Sequence, residues 1–294
     1  MRVGAPAKVN LTLEVTGVED NGYHTLDTIF SWLALEDELT LSPSDSTSLE
    51  MVSEGVSTEL VTTDGDNLVL KAHTALENAL GRKLPTRFQL LKRIPAGGGL
   101  GGGSADASAC LVGLNRLYEL GLAQEDLLNI ARPLGADVSF GLVGGMARGT
   151  RYGDMLNPLP FPEELRGLEV VLVLPGFPCP TPRVYGLWDQ QPSRVARGAS
   201  ERFLGAQGLS ERFECITNDL EEPAFRLHPK LRVYKNLMTE CGLQGVCLSG
   251  SGSTLFGFLP QGGDLETLRQ AFAMHDVDVV STTLKEERRF EFVS

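Results

Sequence analysis

The sequence predicts an α+β fold, because strand and helix patterns are mixed along the chain. Residues 5–16 alternate between apolar and polar side chains, which is typical of a half-buried strand. Residues 104–120 carry apolar side chains at helical spacing, and this pattern ends at Gly121. Segments of the two kinds do not alternate strictly, as they would around a doubly wound parallel sheet.

A cluster of prolines predicts where the chain divides. The 294 residues suit one large or two medium domains. Three prolines lie close together between Pro158 and Pro162, and proline interrupts regular structure. We therefore expect a first domain at residues 1–158 and a second at residues 159–294.

The remaining elements follow from turn residues and apolar periodicity. In the first half, the hairpin signal Asn21-Gly22 and the helix-ending glycines set the boundaries. The expected elements there are strands at about 23–35 and 38–42, a largely polar loop with a short strand at 43–57, a helix from Asn67 to Gly81, a strand at 88–91, a helix at 124–134 and a strand near 144–152. In the second half they are a strand at 168–174, a helix from about 183, a polar region at 190–212, helices at 217–227 and 229–241, strands at 244–248 and 253–259, a helix near 264–274 and two late strands.

Composition and charge exclude several functional classes. The net charge of −12 argues against a nucleic-acid partner, although a nucleotide needs only a local positive site. The five cysteines form no C-x-x-C pair, so neither a zinc site nor a disulfide framework is indicated, and a reducing cytoplasm fits best. Apolar runs such as residues 170–174 are too short to span a membrane, and the N-terminus has no signal-peptide pattern. We expect a cytoplasmic enzyme with no membrane partner, as a monomer or weak homodimer.

A glycine-rich run is the strongest functional signal in the chain. Six of the seven residues at 97–103 are glycine, and a helix pattern follows directly. Because glycine is costly in backbone entropy, so dense a run indicates that the backbone approaches something large and anionic. The N-terminus of the following helix adds positive potential. The run therefore predicts a phosphate-binding loop, with contacts from Pro95, Ala96, Gly97, Gly98, Gly99, Leu100, Gly101, Gly102, Gly103, Ser104 and Ala105.

Two common phosphate loops fit this run poorly. The P-loop needs Lys and then Ser or Thr after its last glycine, but Gly103 is followed by Ser and Ala. The dinucleotide pattern G-x-G-x-x-G matches at Gly97, Gly99 and Gly102. It also needs an acidic residue after a second strand, and the candidate Glu119 lies in a helix pattern instead. A nicotinamide-binding oxidoreductase stays open as an alternative.

Two distant segments accompany the run. Pro6-Ala7-Lys8-Val9-Asn10-Leu11 lies in the first strand, and Ser249-Gly250-Ser251-Gly252 lies between two late strands. Together with residues 95–104, and in this order, they resemble the three motifs of the GHMP kinases, which include galactokinase, homoserine kinase and mevalonate kinase. The resemblance implies a two-domain GHMP kinase fold, with an N-terminal ribosomal-S5-like domain that binds ATP and a C-terminal ferredoxin-like α/β domain. It also implies ATP and Mg²⁺ as cofactors.

Four further segments resemble one subfamily, the kinases that act on 4-diphosphocytidyl-2-C-methyl-D-erythritol. They are Asn21-Gly22-Tyr23-His24-Thr25-Leu26, Asp66-Asn67-Leu68-Val69, Leu134-Gly135-Ala136-Asp137-Val138 and Asn218-Asp219-Leu220-Glu221. This resemblance implies ATP-dependent phosphorylation of the 2-hydroxyl of that cytidine diphosphate sugar alcohol, in the methylerythritol phosphate route to isoprenoids. Ala105, Ser139 and Asp154 depart from the subfamily pattern, which more often has Ser, Pro and Glu. A homoserine- or mevalonate-type kinase and an inactive nucleotide-binding regulator stay open.

The same resemblance implies the catalytic residues. Asp137, in an expected glycine-bounded loop, matches the family's base, and Lys8 would be its electrostatic partner. A carboxylate can accept the proton of an alcohol, and a nearby ammonium keeps it ionised. From the residues alone, Asp137 fits a helix N-cap equally well, and Lys8 fits a solvent-exposed position on a strand.

The resemblance also implies the binding residues. Those for the cytidyl substrate are Asn10, Tyr23, His24, Thr181 and Tyr185. Asn67 and Lys92 would border the adenine of ATP, and Ser104 would contact Mg²⁺. No cluster of carboxylates indicates a metal site built from protein side chains alone, which agrees with Mg²⁺ arriving on phosphates with several waters.

Overall fold

A computed structural model describes residues 1–57, 60–191 and 197–293, and it confirms the α+β class. The strands in these ranges are β1 (Arg2–Val18), β2 (His24–Pro43), β3 (Ser48–Ser53), β4 (Thr86–Lys92), β5 (Met146–Arg151), β6 (Met155–Pro158), β7 (Glu169–Leu174), β8 (Thr217–Asn218), β9 (Gln244–Leu248), β10 (Leu255–Phe258), β11 (Asp278–Lys285) and β12 (Phe292–Val293). The helices are α1 (Leu68–Leu80), α2 (Gly102–Leu117), α3 (Gln124–Ala131), α4 (Ala136–Val143), α5 (Thr181–Trp188), α6 (Ala199–Gly205), α7 (Leu209–Glu214), α8 (Glu221–Leu227), α9 (Lys230–Glu240) and α10 (Leu265–Phe272).

Most strands belong to one set of hydrogen-bonded neighbours, in the order β12-β1-β2-β11-β7-β10-β9. β1 and β2 form a long antiparallel hairpin, from Arg2 opposite Thr40 to the turn at Gly22, whose φ of 80° favours glycine. β2 also pairs with β4 and β5, and β11 bridges β2 and β7. The late strands β11 and β12 thus pair with the first hairpin. The domain border at 158/159 stays a prediction.

The prediction of two strands at 23–35 and 38–42 is wrong, because β2 is continuous. The acidic run Glu36-Asp37-Glu38 interrupts the apolar alternation, which suggested a break. In the structure this run stays paired with β1, with Pro6 opposite Glu36 and Ala5 opposite Asp37. The Asp37 carboxyl is fully buried against Lys92, so an ion pair replaces the apolar contact expected there.

Two other expectations need correction. Asp137 lies in the first turn of α4 rather than in a loop, after Gly135 with a φ of 148°. The region expected to be polar at 190–212 contains α6 and α7, while residues 192–196 of it lie outside the described residues. Each of these helices is shorter than two turns and is anchored by one large buried side chain, Phe203 or Phe213, which leaves too little periodicity to detect.

The core positions the glycine-rich segment between β4 and α2. α1 and α2 pack beside β1, β2 and β4 through buried side chains that include Leu39, Leu41, Leu76, Phe88, Leu111 and Leu114. Asn67 caps α1 by accepting a hydrogen bond from the amide of Val69, and Gly81 ends the helix, both as predicted. Among the described residues, no helix is long and apolar enough to cross a membrane.

Candidate active site

The glycine-rich segment forms a tight loop that opens directly into α2. Gly97, Gly99 and Gly101 have φ values of 73°, 79° and 69°, a region that side chains other than glycine rarely adopt. The loop lines a cavity of about 320 Å³ that we call the nucleotide pocket. Because the first turn of α2 begins at Gly102, unpaired amides of a helix N-terminus border this pocket. Residues 95–104 all line it, whereas Ala105, which was also predicted to contact phosphate, does not.

Backbone contacts fix the shape of the loop from both sides. The amide of Lys8 in β1 donates to the carbonyl of Leu100 over 2.9 Å. The hydroxyl of Ser249 donates to the carbonyl of Gly99 over 2.9 Å. A Cβ on Gly99 would lie 2.1 Å from the carbonyl oxygen of Ser249, so no side chain fits at this position. The three motifs of the sequence therefore meet here, although they are far apart along the chain.

Asn67 and Lys92 also line the nucleotide pocket, and a Cβ on Gly102 would lie 3.3 Å from the Lys92 ammonium. The side chain of Asn67 is committed locally, since its amide donates to the carbonyl of Thr62 over 2.6 Å and its oxygen caps α1. Lys92 is only 2% exposed, and its ammonium is paired with the carboxylates of Asp37 and Asp106. Both side chains are therefore held by neighbouring residues, and Lys92 belongs to a buried charged cluster with Asp37 and Asp106.

This cluster perturbs the titration of its members. Burial would lower the pKa of Lys92, but the two carboxyl groups raise it above its usual value. Burial, with a smaller contribution from the Asp37 carboxylate, raises the pKa of Asp106 to about 8 against the opposing effect of Lys92. Asp106 Oδ2 accepts from Lys92 over 2.7 Å, while its Oδ1 is buried without a hydrogen-bond partner among the described residues. Asp106 lines the nucleotide pocket.

Lys8 and Asp137 meet on the other side of the glycine loop, as the family resemblance implies. The Lys8 ammonium lies 3.5 Å from Asp137 Oδ2. Lys8 is nearly buried, with its side chain 8% exposed, whereas the side chain of Asp137 is 35% exposed. A Cβ on Gly101 would come within 3.0 Å of the Lys8 side chain and 3.6 Å of Asp137 Oδ2. The loop that borders the nucleotide pocket therefore also touches this pair.

A chain of hydrogen bonds holds Lys8 in place. Its ammonium donates to Asn10 Oδ1 over 2.8 Å. The Asn10 amide donates to the Thr28 hydroxyl over 2.8 Å, and Thr28 donates to the carbonyl of Thr12 over 2.6 Å. Lys8, Asn10 and Thr28 are all buried, so each bond is shielded from water. The β1–β2 hairpin thereby presents one positioned ammonium to Asp137.

Lys8, Asn10 and Asp137 line a cavity of about 370 Å³, which we call the acceptor pocket. Its other walls include residues 178–180, α5 and residues 250–252, and Gly97 and Gly99 separate it from the nucleotide pocket. Asn218 supports this wall, because its amide donates to the carbonyls of Leu248 and Gly250 over 2.8 and 2.7 Å. The two pockets therefore share a partition made of the glycine loop.

A larger cavity of about 780 Å³ lies beside the acceptor pocket and is lined by Tyr23, His24, Thr181 and Tyr185. The four predicted residues are therefore together, and Thr181 and Tyr185 line both cavities. The His24 ring lies 4.5 Å from that of Tyr185, and His24 Nε2 is 2.6 Å from Asp189 Oδ1. Tyr23 is 66% exposed at the rim. Burial, with a contribution from the Asp137 carboxylate, raises the pKa of the Tyr185 phenol.

Sequence reasoning missed Asp37, Asp106, Asp189 and the supporting role of Asn218. Asp106 did carry a signal, because an acidic residue between alanines in a helix that is otherwise small and apolar needs a partner. Asp37 carried a weaker one, as an acid at a position that the strand alternation directs inward. Asp189 follows the end of α5 and carried no signal in the sequence, since its partner His24 is 165 residues away.

Comparisons with known proteins agree with this geometry. The family model described as GHMP kinases N terminal domain matches residues 67–147, and the GHMP kinases C terminal model matches residues 202–275. A protein of Rhodospirillum rubrum named 4-diphosphocytidyl-2-C-methyl-D-erythritol kinase is 39% identical over 86% of this chain and 82% of its own length. A protein of Thermus thermophilus with the same name is 39% identical over 88% of both chains.

Solved structures of GHMP kinases share this fold. A crystal structure of 4-(cytidine 5'-diphospho)-2C-methyl-D-erythritol kinase superposes with a TM-score of 0.76 at 34% identity, over 96% of this chain and 99% of that one. A mevalonate kinase structure, at 14% identity and a TM-score of 0.75 over 98% of this chain and all of that one, shares the fold. The kinases of this group use ATP. From its family models, its relatives and its fold, the chain belongs to the 4-diphosphocytidyl-2-C-methyl-D-erythritol kinases, a family of phosphotransferases among the GHMP kinases.

Proposed function

We propose that this chain transfers the γ-phosphoryl group of ATP to the 2-hydroxyl of 4-diphosphocytidyl-2-C-methyl-D-erythritol, as a step of the methylerythritol phosphate route. The observation that carries the proposal is the Lys8–Asp137 pair, which lies across the glycine loop from the nucleotide pocket. An acceptor alcohol beside Asp137 and a triphosphate along the loop would meet at this partition. The names of the relatives supply the identity of the acceptor.

In this reaction Asp137 is the general base. Its carboxylate accepts the proton of the 2-hydroxyl as the alcohol oxygen bonds to the γ-phosphorus. The bond between that phosphorus and the oxygen bridging to the β-phosphate breaks, and ADP leaves with the electron pair. The partial exposure of Asp137 suits this role, because the carboxylate must reach a substrate that enters from solvent.

Lys8 is the electrostatic partner of Asp137. Its ammonium favours the ionised carboxylate and stabilises the negative charge that develops on the alcohol oxygen. The hydrogen bonds through Asn10 and Thr28 hold that charge in position before the substrate binds. Such a preorganised charge costs no reorganisation during the reaction.

The glycine loop binds the phosphates of ATP through its backbone amides and the N-terminus of α2. Asn67 and Lys92 border the adenine, and Ala96 and Leu100 belong to the same wall. Mg²⁺ would arrive with the nucleotide, held mainly by its phosphates and by water. Ser104, half-buried in the first turn of α2, is the residue that would contact it. When bound, Mg²⁺ neutralises charge on the phosphates.

The cytidine end of the acceptor binds in the 780 Å³ cavity. Tyr23 and Tyr185 offer aromatic faces for the base, and His24 offers its backbone and ring edge. Asn10 and Thr181 contact the part of the substrate closer to Asp137. Residues 1–158 then supply the phosphate loop and the base, and residues 159–294 supply the α5 wall. The cytoplasmic location and the monomeric or weakly dimeric state stay predictions of the sequence.

The test is an acceptor panel with the purified chain. ATP and Mg²⁺ are supplied with the cytidyl alcohol, homoserine or mevalonate, and ADP release is followed together with the phosphorus spectrum of the product. We expect a new phosphomonoester only with the cytidyl alcohol. Turnover of homoserine or mevalonate instead would reassign the acceptor. Thermal stabilisation by a nicotinamide dinucleotide but not by ATP would contradict the kinase assignment.

A further inference from the structure

A separate cavity of about 590 Å³ lies away from the active site, between α2, α3, α4 and the C-terminal segment 288–292. Its volume is within the range of sites that bind small molecules. The walls are largely apolar and include the buried side chains of Leu127, Leu142 and Val143. Phe290 and Phe292 of the C-terminal segment complete them. None of the residues assigned to the kinase reaction lines this cavity.

The charges around the cavity are all of one sign. Arg116, Arg288 and Arg289 line it, and no acidic residue does. This is unusual in a chain with a net charge of −12. Across the described ranges, none of the three guanidinium groups forms an ion pair with a carboxylate, whereas many other arginines of the chain do, such as Arg87 with Glu50.

Two of the three arginines are free to bind a ligand. Arg116 stacks on the ring of Phe292, with its guanidinium carbon 4.1 Å from the ring centroid. This contact leaves its N–H edge free, because stacking uses the face of the guanidinium and not its donors. Arg289 is exposed at the cavity wall. Arg288 is different, since it donates a hydrogen bond to the carbonyl of Leu159 and so has a structural role.

The cavity is connected to the active site by two helices. α2 begins at the glycine loop, and its residues Val112 and Arg116 line the cavity. At a rise of about 1.5 Å per residue, Arg116 lies about 20 Å along the helix from Gly102. α4 carries Asp137 in its first turn and lines the cavity with Leu142 and Val143 in its last. A ligand here would therefore contact the far ends of the two helices that carry the phosphate loop and the base.

We propose that this cavity binds an amphiphilic anion, namely a phosphate or diphosphate group attached to an apolar chain, and that its occupancy changes catalysis. The apolar walls accept the chain, and the arginines bind the head group. Phosphate is favoured over carboxylate because a doubly charged head group can pair with both free guanidinium groups, those of Arg116 and Arg289. The walls include the buried side chains of Leu127, Leu142 and Val143, so the apolar chain would lie between helices, which favours a free molecule over a lipid held in a membrane.

The test is binding of octyl phosphate, below its micelle concentration, to the ADP-saturated protein. ADP keeps the probe out of the nucleotide pocket, and calorimetry needs no turnover, so the result does not depend on the proposed acceptor. We expect one molecule bound per chain, with neither inorganic phosphate nor octanol binding at the same concentration. The double variant Arg116→Met/Arg289→Met should weaken binding by about tenfold or more, since it removes charge-assisted hydrogen bonds.

Arg226→Met is the matched control, because Arg226 is exposed on α8 and does not line the cavity. It should bind octyl phosphate as the wild type does. Equal affinity of the double variant and the wild type would overturn the proposal, as would absence of binding to the wild type. Binding to phosphatidylglycerol vesicles without binding to octyl phosphate would assign the arginines to a membrane surface and would also overturn it. With octyl phosphate bound, we expect the wild type to change its KM for ATP or its kcat, and the double variant to change neither.

Discussion

The nucleotide pocket and the acceptor pocket lie on opposite sides of one glycine loop, yet they are built differently. The nucleotide pocket is lined chiefly by consecutive residues, 95–104, and it offers backbone amides. The acceptor pocket is lined by side chains from β1, α4 and α5 and by residues 250–252 of the second glycine loop. A ligand bound by backbone groups depends on loop shape, whereas a reaction promoted by side chains depends on where distant residues meet. Substitutions in the nucleotide pocket should therefore change ATP binding, whereas those in the acceptor pocket should change acceptor binding or turnover.

Lys8→Met should lower turnover strongly without weakening ATP binding. This variant keeps the length of the side chain but removes the charge beside Asp137 and the donor to Asn10. We expect kcat to fall roughly 10²–10³-fold while the dissociation constant for ATP stays within a few-fold. Steady-state kinetics and calorimetry check both values. Lys230→Met, at an exposed position of α9, should leave both unchanged, and a loss confined to ATP affinity would contradict the division.

The opposite result, a loss of ATP affinity, is expected from Gly99→Ala. The added methyl would lie 2.1 Å from the carbonyl oxygen of Ser249, and the φ of 79° is itself unfavourable for alanine. The loop must shift, and we expect ATP affinity to weaken by about 10²-fold, because small displacements of positioning groups have effects of that order. Gly103→Ala is the control, since its methyl would meet only Leu68 Cδ1 at 3.4 Å. Equal ATP affinities of the two variants would contradict a backbone-built pocket.

A smaller effect, on the acceptor side alone, is expected from Asp189→Asn. The change weakens the contact that holds His24 against α5. The loss of one charge-assisted hydrogen bond should raise the KM for the cytidyl alcohol by about tenfold and leave kcat and the KM for ATP unchanged. Asp45→Asn, in the exposed loop after β2, is the matched control. A change in the KM for ATP would show that the two pockets are not independent.

The last of these predictions concerns stability and not catalysis, at the buried cluster of Lys92, Asp37 and Asp106 beside the nucleotide pocket. The pKa of Asp106 is about 8 in the folded chain, above its value of about 4 when unfolded. The folded state therefore binds more protons between these values, so this group's contribution to the free energy of unfolding falls as pH rises from about 4 to about 8. In Asp106→Asn that fall is absent, and the variant should gain stability relative to the wild type as pH rises. Urea unfolding at about pH 5 and about pH 8 checks this, and parallel profiles would contradict the raised pKa.

The two pockets also differ in how far the sequence predicts them. The glycine loop and the cap at Asn67 were predictable because local backbone geometry determines both. The pairing of Lys8 with Asp137 was implied only through the family resemblance, because no spacing rule joins residues 129 positions apart. The buried pairing of Lys92 with Asp37 and Asp106 was not predicted at all. Burial of charged groups depends on tertiary contacts that local periodicity does not contain.

The most direct test of the central claim is Asp137→Asn, with ATP affinity and turnover measured on the same preparation. The amide keeps the size of the side chain but cannot accept the proton of the acceptor hydroxyl as a carboxylate does. We predict that phosphoryl transfer to the cytidyl alcohol falls roughly 10²–10⁴-fold while calorimetry gives the wild-type affinity for ATP. Transfer near the wild-type rate would contradict the assignment of Asp137 as the base. It would also contradict the claim that side chains of the acceptor pocket promote the reaction while the glycine loop binds ATP.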